Sequence, residues 1–193
     1  MRWSRPSQLV FLAQACVFFK QHARALGLLE ESLRLNPDNY RAWALAGFLY
    51  ADRGRFPQAA AALEHAVAQG PEDAAMLFNL GFALQKLQRH EDAIARMKRA
   101  VELDPALDRA WYGLGLSYIQ CGRFHDAIVS LGEAARLQPF NPFARYQLAA
   151  AWFKLGEPDK VRAEYRKLKG FDPKVAEHVR VDFGVPKDPD ETF

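Results

Sequence analysis

Pro37, Pro71, Pro105, Pro139 and Pro173 stand 34 residues apart at every step, and that register governs what the chain can fold into. A constant period of this length means one supersecondary unit copied in tandem, each copy too small to bury its apolar face alone. Aligned on the prolines, the chain forms columns of matching chemistry: Leu9, Trp43, Leu77, Trp111 and Arg145, then Leu12, Ala46, Leu80, Leu114 and Leu148. Small residues follow at Ala13, Gly47, Gly81, Gly115 and Ala149, and large ones at Cys16, Tyr50, Leu84, Tyr118 and Trp152.

Each block then carries a turn: Lys20-Gln21-His22, Gly54-Arg55-Phe56, Gln88-Arg89-His90, Gly122-Arg123-Phe124 and Gly156-Glu157-Pro158. A second apolar period comes after it, with Ala25, Ala59, Ala93, Ala127 and Val161, and four residues on Leu29, Leu63, Met97, Leu131 and Tyr165. Spacings of three and four are helical, so each unit is expected to be helix, short turn, helix, with proline stopping the second helix or opening the next. The small residue on the first helix lets the second approach closely, and the aromatic and leucine columns fill the space beside that contact.

This pattern resembles the tetratricopeptide repeat. Its signature of Trp, Leu-Gly and Tyr, then Ala, an aromatic or aliphatic residue and Pro, is met by WYGLGLSY at 111–118 and FHDAIVSLGEAARLQP at 124–139. Departures are local: Lys20 and Gln88 replace the usual glycine, Arg145 the large apolar residue and Val161 the small alanine. The resemblance implies an all-α fold, a right-handed superhelical solenoid of five helix-turn-helix repeats. Their expected limits are 6–39, 40–73, 74–107, 108–141 and 142–175, after an N-terminal lead at 1–5. Val175, Val179 and Phe183 recur every four residues, which predicts a short capping helix over 176–184 ended by Gly184. Residues 185–193, with two prolines and three acidic residues, are expected to be a flexible tail.

Charge and motifs exclude several functions. Lys and Arg number 26 against 23 Asp and Glu among 193 residues, a net +3 that offers no concentrated positive charge for nucleic acid. No apolar run reaches the roughly 18 residues of a membrane span. Cys16 and Cys121 are far apart and in no ligand pattern, and Cys16 shares the column of Tyr50 and Tyr118, so both read as unbridged and without a metal. His22, His65, His90, His125 and His178 have no ligand spacing on one helix face. Pairs such as Glu64 with His65, or Glu91 with Asp92, read as solvated faces. With no phosphate loop or nucleophile motif, and the repeats using up the chain, neither catalysis nor a cofactor is expected.

The resemblance also implies where a ligand binds, because in this family the first helices line a concave groove that holds a peptide or helix of a partner protein. The inward columns would be Val10, Ala44, Phe78, Tyr112 and Tyr146; Gln14, Phe48, Phe82, Leu116 and Ala150; and Val17, Ala51, Gln85, Ile119 and Phe153. Flanking columns add Ser7, Arg41, Ala75, Arg109 and Phe143, and Phe18, Asp52, Lys86, Gln120 and Lys154. The expected groove is aromatic and apolar with Arg41, Lys86, Arg109 and Lys154 at its edges, suited to an apolar segment with acidic flanks. A clamp for an acidic chain terminus is disfavoured, since Val10, Gln14, Ala44, Phe48, Phe78 and Phe82 stand where most of it would be and only Asn79 and Arg109 fit.

Three roles follow: an interaction scaffold or assembly factor, which includes a permanent subunit of a larger complex; a chaperone with the groove chemistry of bacterial secretion-system chaperones; and self-association through the end repeats. The stretch SQLVFLAQACVFFKQ, 7–21, bears on location. Arg2 and Arg5 before an apolar run ending at Cys16 resemble an export signal cleaved after residue 15. Against that, Leu9, Leu12, Ala13 and Cys16 fall in the repeat columns, Gln14 breaks the run, and cleavage would strip the helix at 24–35 of its packing partner. The expectation is an uncleaved first helix and a cytoplasmic protein.

Overall fold

A computed structural model describes residues 4–186, so Arg2, the first part of the lead and positions 187–193 of the tail lie outside the described residues. Within them the chain forms eleven α-helices and no strand. They are α1 Arg5–Phe18, α2 His22–Leu35, α3 Tyr40–Asp52, α4 Phe56–Gln69, α5 Ala74–Lys86, α6 His90–Leu103, α7 Asp108–Gln120, α8 Phe124–Leu137, α9 Pro142–Lys154, α10 Pro158–Lys169 and α11 Pro173–Asp182. The chain divides into two compact units, Met1–Leu103 with α1–α6 and Asp104–Phe193 with α7–α11.

Local chemistry explains the helix ends. Asn39, Asp73 and Asn141, one register position apart or a multiple of it, accept backbone N–H groups of Ala42, Met76 and Phe143 and so cap α3, α5 and α9. Every turn between paired helices needs one residue at positive φ: Gly54, Gly122 and Gly156 at 71–73°, but Lys20 at 56° and Gln88 at 62°. The next N–H then reaches back to the carbonyl of the large-residue column, as Arg55 does to Tyr50 and Arg123 to Tyr118, both at 2.9 Å, closing the first helix. The two non-glycine turns thus keep the glycine conformation and carry its strain.

Helix pairing depends on the small-residue column. A β-carbon on Gly47 would lie 2.5 Å from Leu63 Cγ, and one on Gly115 would lie 2.5 Å from Leu131 Cγ. In the first unit the core runs through Ala13, Ala25, Leu29, Ala46 and Leu49, then through Leu63, Leu80, Leu84 and Ala93. In the second, Ala149, Val161, Tyr165, Leu168, Ala176 and Val179 close around α9–α11.

Two expectations at the ends change. The capping helix starts at Pro173 rather than 176, because Asp172 accepts the Val175 N–H and caps it three residues early. It ends at Asp182. Leu12, whose register mates Ala46 and Leu80 are buried, is 50% exposed. Among the described residues no helix is long and apolar enough to cross a membrane.

Candidate functional site

In the first unit the expected groove residues come from α1, α3 and α5. Gln14, Arg41 and Phe48 line an open pocket of about 350 Å³ with Tyr40, Ala44, Leu45, Asp73, Ala75 and Asn79. Phe48 is 42% exposed there. Arg41 is held against Tyr40, its Nε donating to Tyr40 Oη at 3.1 Å and its guanidinium 5.6 Å from the ring centroid. Further along α5, the half-buried rings of Phe78 and Phe82 lie 6.4 Å apart, with Phe56 edge-on to Phe82 at 6.1 Å. Lys86 Nζ sits 5.3 Å from the Phe82 ring, a cation over the aromatic face. The structure thus brings together one amphipathic pocket and, on the same helix face, one aromatic cluster with a cation.

Val10 is a correction. At 5% exposure it is packed into the core with Ala42, Ala46 and Leu49 of α3, whereas its register mates Ala44 and Phe78 stay half-buried. Phe18, at the end of α1, is exposed and packs edge-on against Phe19 at 5.2 Å; it lies outside the pocket.

In the second unit Arg109 is exposed on α7, while Tyr112 and Leu116 are half-buried, and burial raises the Tyr112 phenol above the usual tyrosine value. Tyr146 and Phe153 on α9 are brought together by the chain itself. Phe183, just past α11, packs its ring 5.5 Å from Tyr146 and 5.3 Å from Phe153. The Tyr146 hydroxyl donates to Asp182 at 2.7 Å, and that bond, then burial, then the carboxylate charge raise its pKa. On this side the expected ligand face is therefore partly filled by the protein's own capping segment. In the sequence Phe56 falls in a turn and nothing singles out Asp182; only the three-dimensional closure of the turn and cap reveals their roles.

Among the described residues no group of three or more His, Cys, Asp or Glu could hold a metal ion. Cys16 is buried and Cys121 half-buried, and neither forms a disulfide among the described residues.

Family models described as tetratricopeptide repeat match residues 19–78, 78–142 and 112–176. The chain belongs to the tetratricopeptide repeat family. No curated protein sequence gives a significant match. Among solved structures, YrrB, described as a TPR protein with an unusual peptide-binding site, superposes with a TM-score of 0.83 over 90% of each chain at 22% identity. A MamA protein gives 0.80 over 96% of this chain and 98% of its own at 20% identity, and MamA from Desulfovibrio magneticus RS-1 gives 0.81 over 90% and 98% at 18%. At these identities the likeness shows the fold alone; the family identified by the models is one of protein-interaction scaffolds.

Proposed function

We propose that this tetratricopeptide chain is a non-catalytic interaction scaffold or assembly factor that holds an apolar segment of a partner protein against its first helices. The observation that carries the reading is the exposed Phe48 beside a pocket floored by Ala44 and Leu45, with the aromatic cluster of Phe78 and Phe82 on the same helix face. These rings are not needed to close the pairs, whose cores are filled by Leu49, Leu63, Leu80 and Met97. Arg41 and Lys86 at the edges favour acidic flanks on the partner, acting on encounter rate more than on affinity. The description of YrrB as having a peptide-binding site fits a peptide as the occupant. The same reading puts the protein in the cytoplasm, supported by Leu9, Ala13 and Cys16 being buried residues of α1 in the repeat columns.

The 42% exposure of Phe48 leaves about 80 Å² of ring surface, and covering it contributes about 2 kcal/mol, or roughly 30-fold in affinity. The test is to identify the bound segment by cross-linking in the native source and titrate its synthetic form against the wild type, Phe48→Glu and Phe82→Glu. Loss of binding of that order in both variants with unchanged helical circular dichroism supports the reading. Unchanged affinity in both overturns it.

A further inference from the structure

Repeat proteins carry an internal control, since each position can be compared with its register mates. In the first unit Trp43 donates its indole N–H to the Pro37 carbonyl at 2.7 Å and stacks on His65 of α4 at 4.8 Å. The register mates of Trp43 and His65 in the fifth repeat are Arg145 and Lys167, two like charges that cannot stack. Glu164 joins them: it accepts from Arg145 Nη1 at 3.1 Å and from Lys167 Nζ at 2.6 Å, and is itself buried.

A third departure sits beside this triad. Gly132 on α8 stands where the other repeats have Glu30, Glu64, Lys98 and Arg166, and a β-carbon built on it meets nothing within 4 Å. Together these changes leave a pocket of about 330 Å³ between α8, α9 and α10, with Ile128, Leu148 and Trp152 as apolar walls and Arg136 at the edge. Arg145 lines it, and its Nε is buried without an acceptor. With Nη1 engaged by Glu164, Nε remains a donor without an acceptor, and a carboxylate is the charge-assisted partner a guanidinium takes. Glu164 and Glu133 answer three cations, Arg136, Arg145 and Lys167, so one positive charge remains.

We propose that this pocket is a carboxylate-binding site for a peptide segment of a partner, the anion held by Arg145 and a neighbouring apolar side chain held against Leu148 and Trp152. It is distinct from the first-helix faces, and its success or failure is independent of the function proposed for them. An unfilled donor in a buried site is costly, which is why a structural ion triad alone would be expected to satisfy Nε and close the space.

The test follows the Arg145 Nε and Trp152 indole signals by proton–nitrogen NMR of the full chain. Three probes are titrated: a blocked pentapeptide with a central aspartate between leucines, its asparagine counterpart, and the asparagine peptide with a free C-terminal carboxylate. Saturable shifts with either carboxylate peptide and none with the neutral one support the site and name the source of the anion. Equal shifts with the neutral peptide, or none with any, overturn it. Because Arg145 variants disturb the triad, the blocking variant is Gly132→Leu, which fills the pocket without touching a charge. It should weaken binding at least about tenfold while melting at or above the wild-type temperature; wild-type binding in Gly132→Leu overturns the proposal.

Discussion

Gly115→Ala and Gly132→Ala place the same methyl group on neighbouring helices with opposite expected outcomes. Both gain about 1 kcal/mol of helix propensity. At Gly132 nothing lies within 4 Å of the new carbon, so that gain stands. At Gly115 the carbon would be 2.5, 2.8 and 3.3 Å from three atoms of Leu131, which is fully buried and meets it at its branch point rather than at a flexible end. Overpacking of this kind costs about 1–3 kcal/mol. The first repeat limits it, since Ala13 is accommodated there with Leu29 buried in the same core. The net is a destabilisation of up to about 2 kcal/mol at Gly115 and a stabilisation of about 1 kcal/mol at Gly132. For a chain of this size that means melting up to about 8 °C below and about 2–4 °C above the wild type, respectively. Gly81→Ala should fall between them, because it meets Met97, whose unbranched chain can shift. Calorimetry of the three variants reads the ranking directly. If Gly115→Ala melts above the wild type beside Gly132→Ala, the close approach does not hold the pairs together.

Other variants probe single features. Lys20→Gly and Gln88→Gly relieve positive-φ strain at the turns and should each stabilise by about 0.5–1 kcal/mol, after the larger chain entropy of unfolded glycine is subtracted, as urea titration would show. Arg145→Leu leaves Glu164 buried with Lys167 alone and should cost about 2–3 kcal/mol, whereas Arg145→Leu with Glu164→Leu should return near wild-type stability in thermal melts. Tyr146→Phe loses the bond to Asp182 and should cost about 0.5–1.5 kcal/mol at neutral pH. Because the folded state raises the Tyr146 pKa, that contribution is complete below the ordinary tyrosine value near 10 and lost as pH rises through the folded one. Wild-type stability should accordingly fall towards that of Tyr146→Phe in alkaline melts.

The fold was legible because one period repeats: the five prolines set the register, and the glycine and leucine columns follow from it. What the register could not supply is what changes at an end. The register places Val10 and Leu12 with their column mates, yet in the first repeat Val10 sinks into the core and Leu12 is uncovered. The cap likewise begins where Asp172 can accept a backbone N–H, not where the period puts it. Arg145 shows in the sequence only as a departure from the apolar column, because its partner Glu164 is nineteen residues away on another helix and no column links them. At the ligand face, polarity was legible from Phe48, Phe82 and Lys86, but the filling of the Tyr146 and Phe153 surface by Phe183 depends on how the chain turns after α11.

Site-specific photo-cross-linking in the native source tests the central claim most directly, with the reactive group at Phe48 on the first-helix face and, as the control, at exposed Ala61 on the second helix α4. Cross-links from Phe48 to one apolar segment of one partner, and none to that segment from Ala61, are the predicted result. Equal labelling from both positions, or labelling from Ala61 alone, would contradict the assignment of the first-helix face as the binding surface.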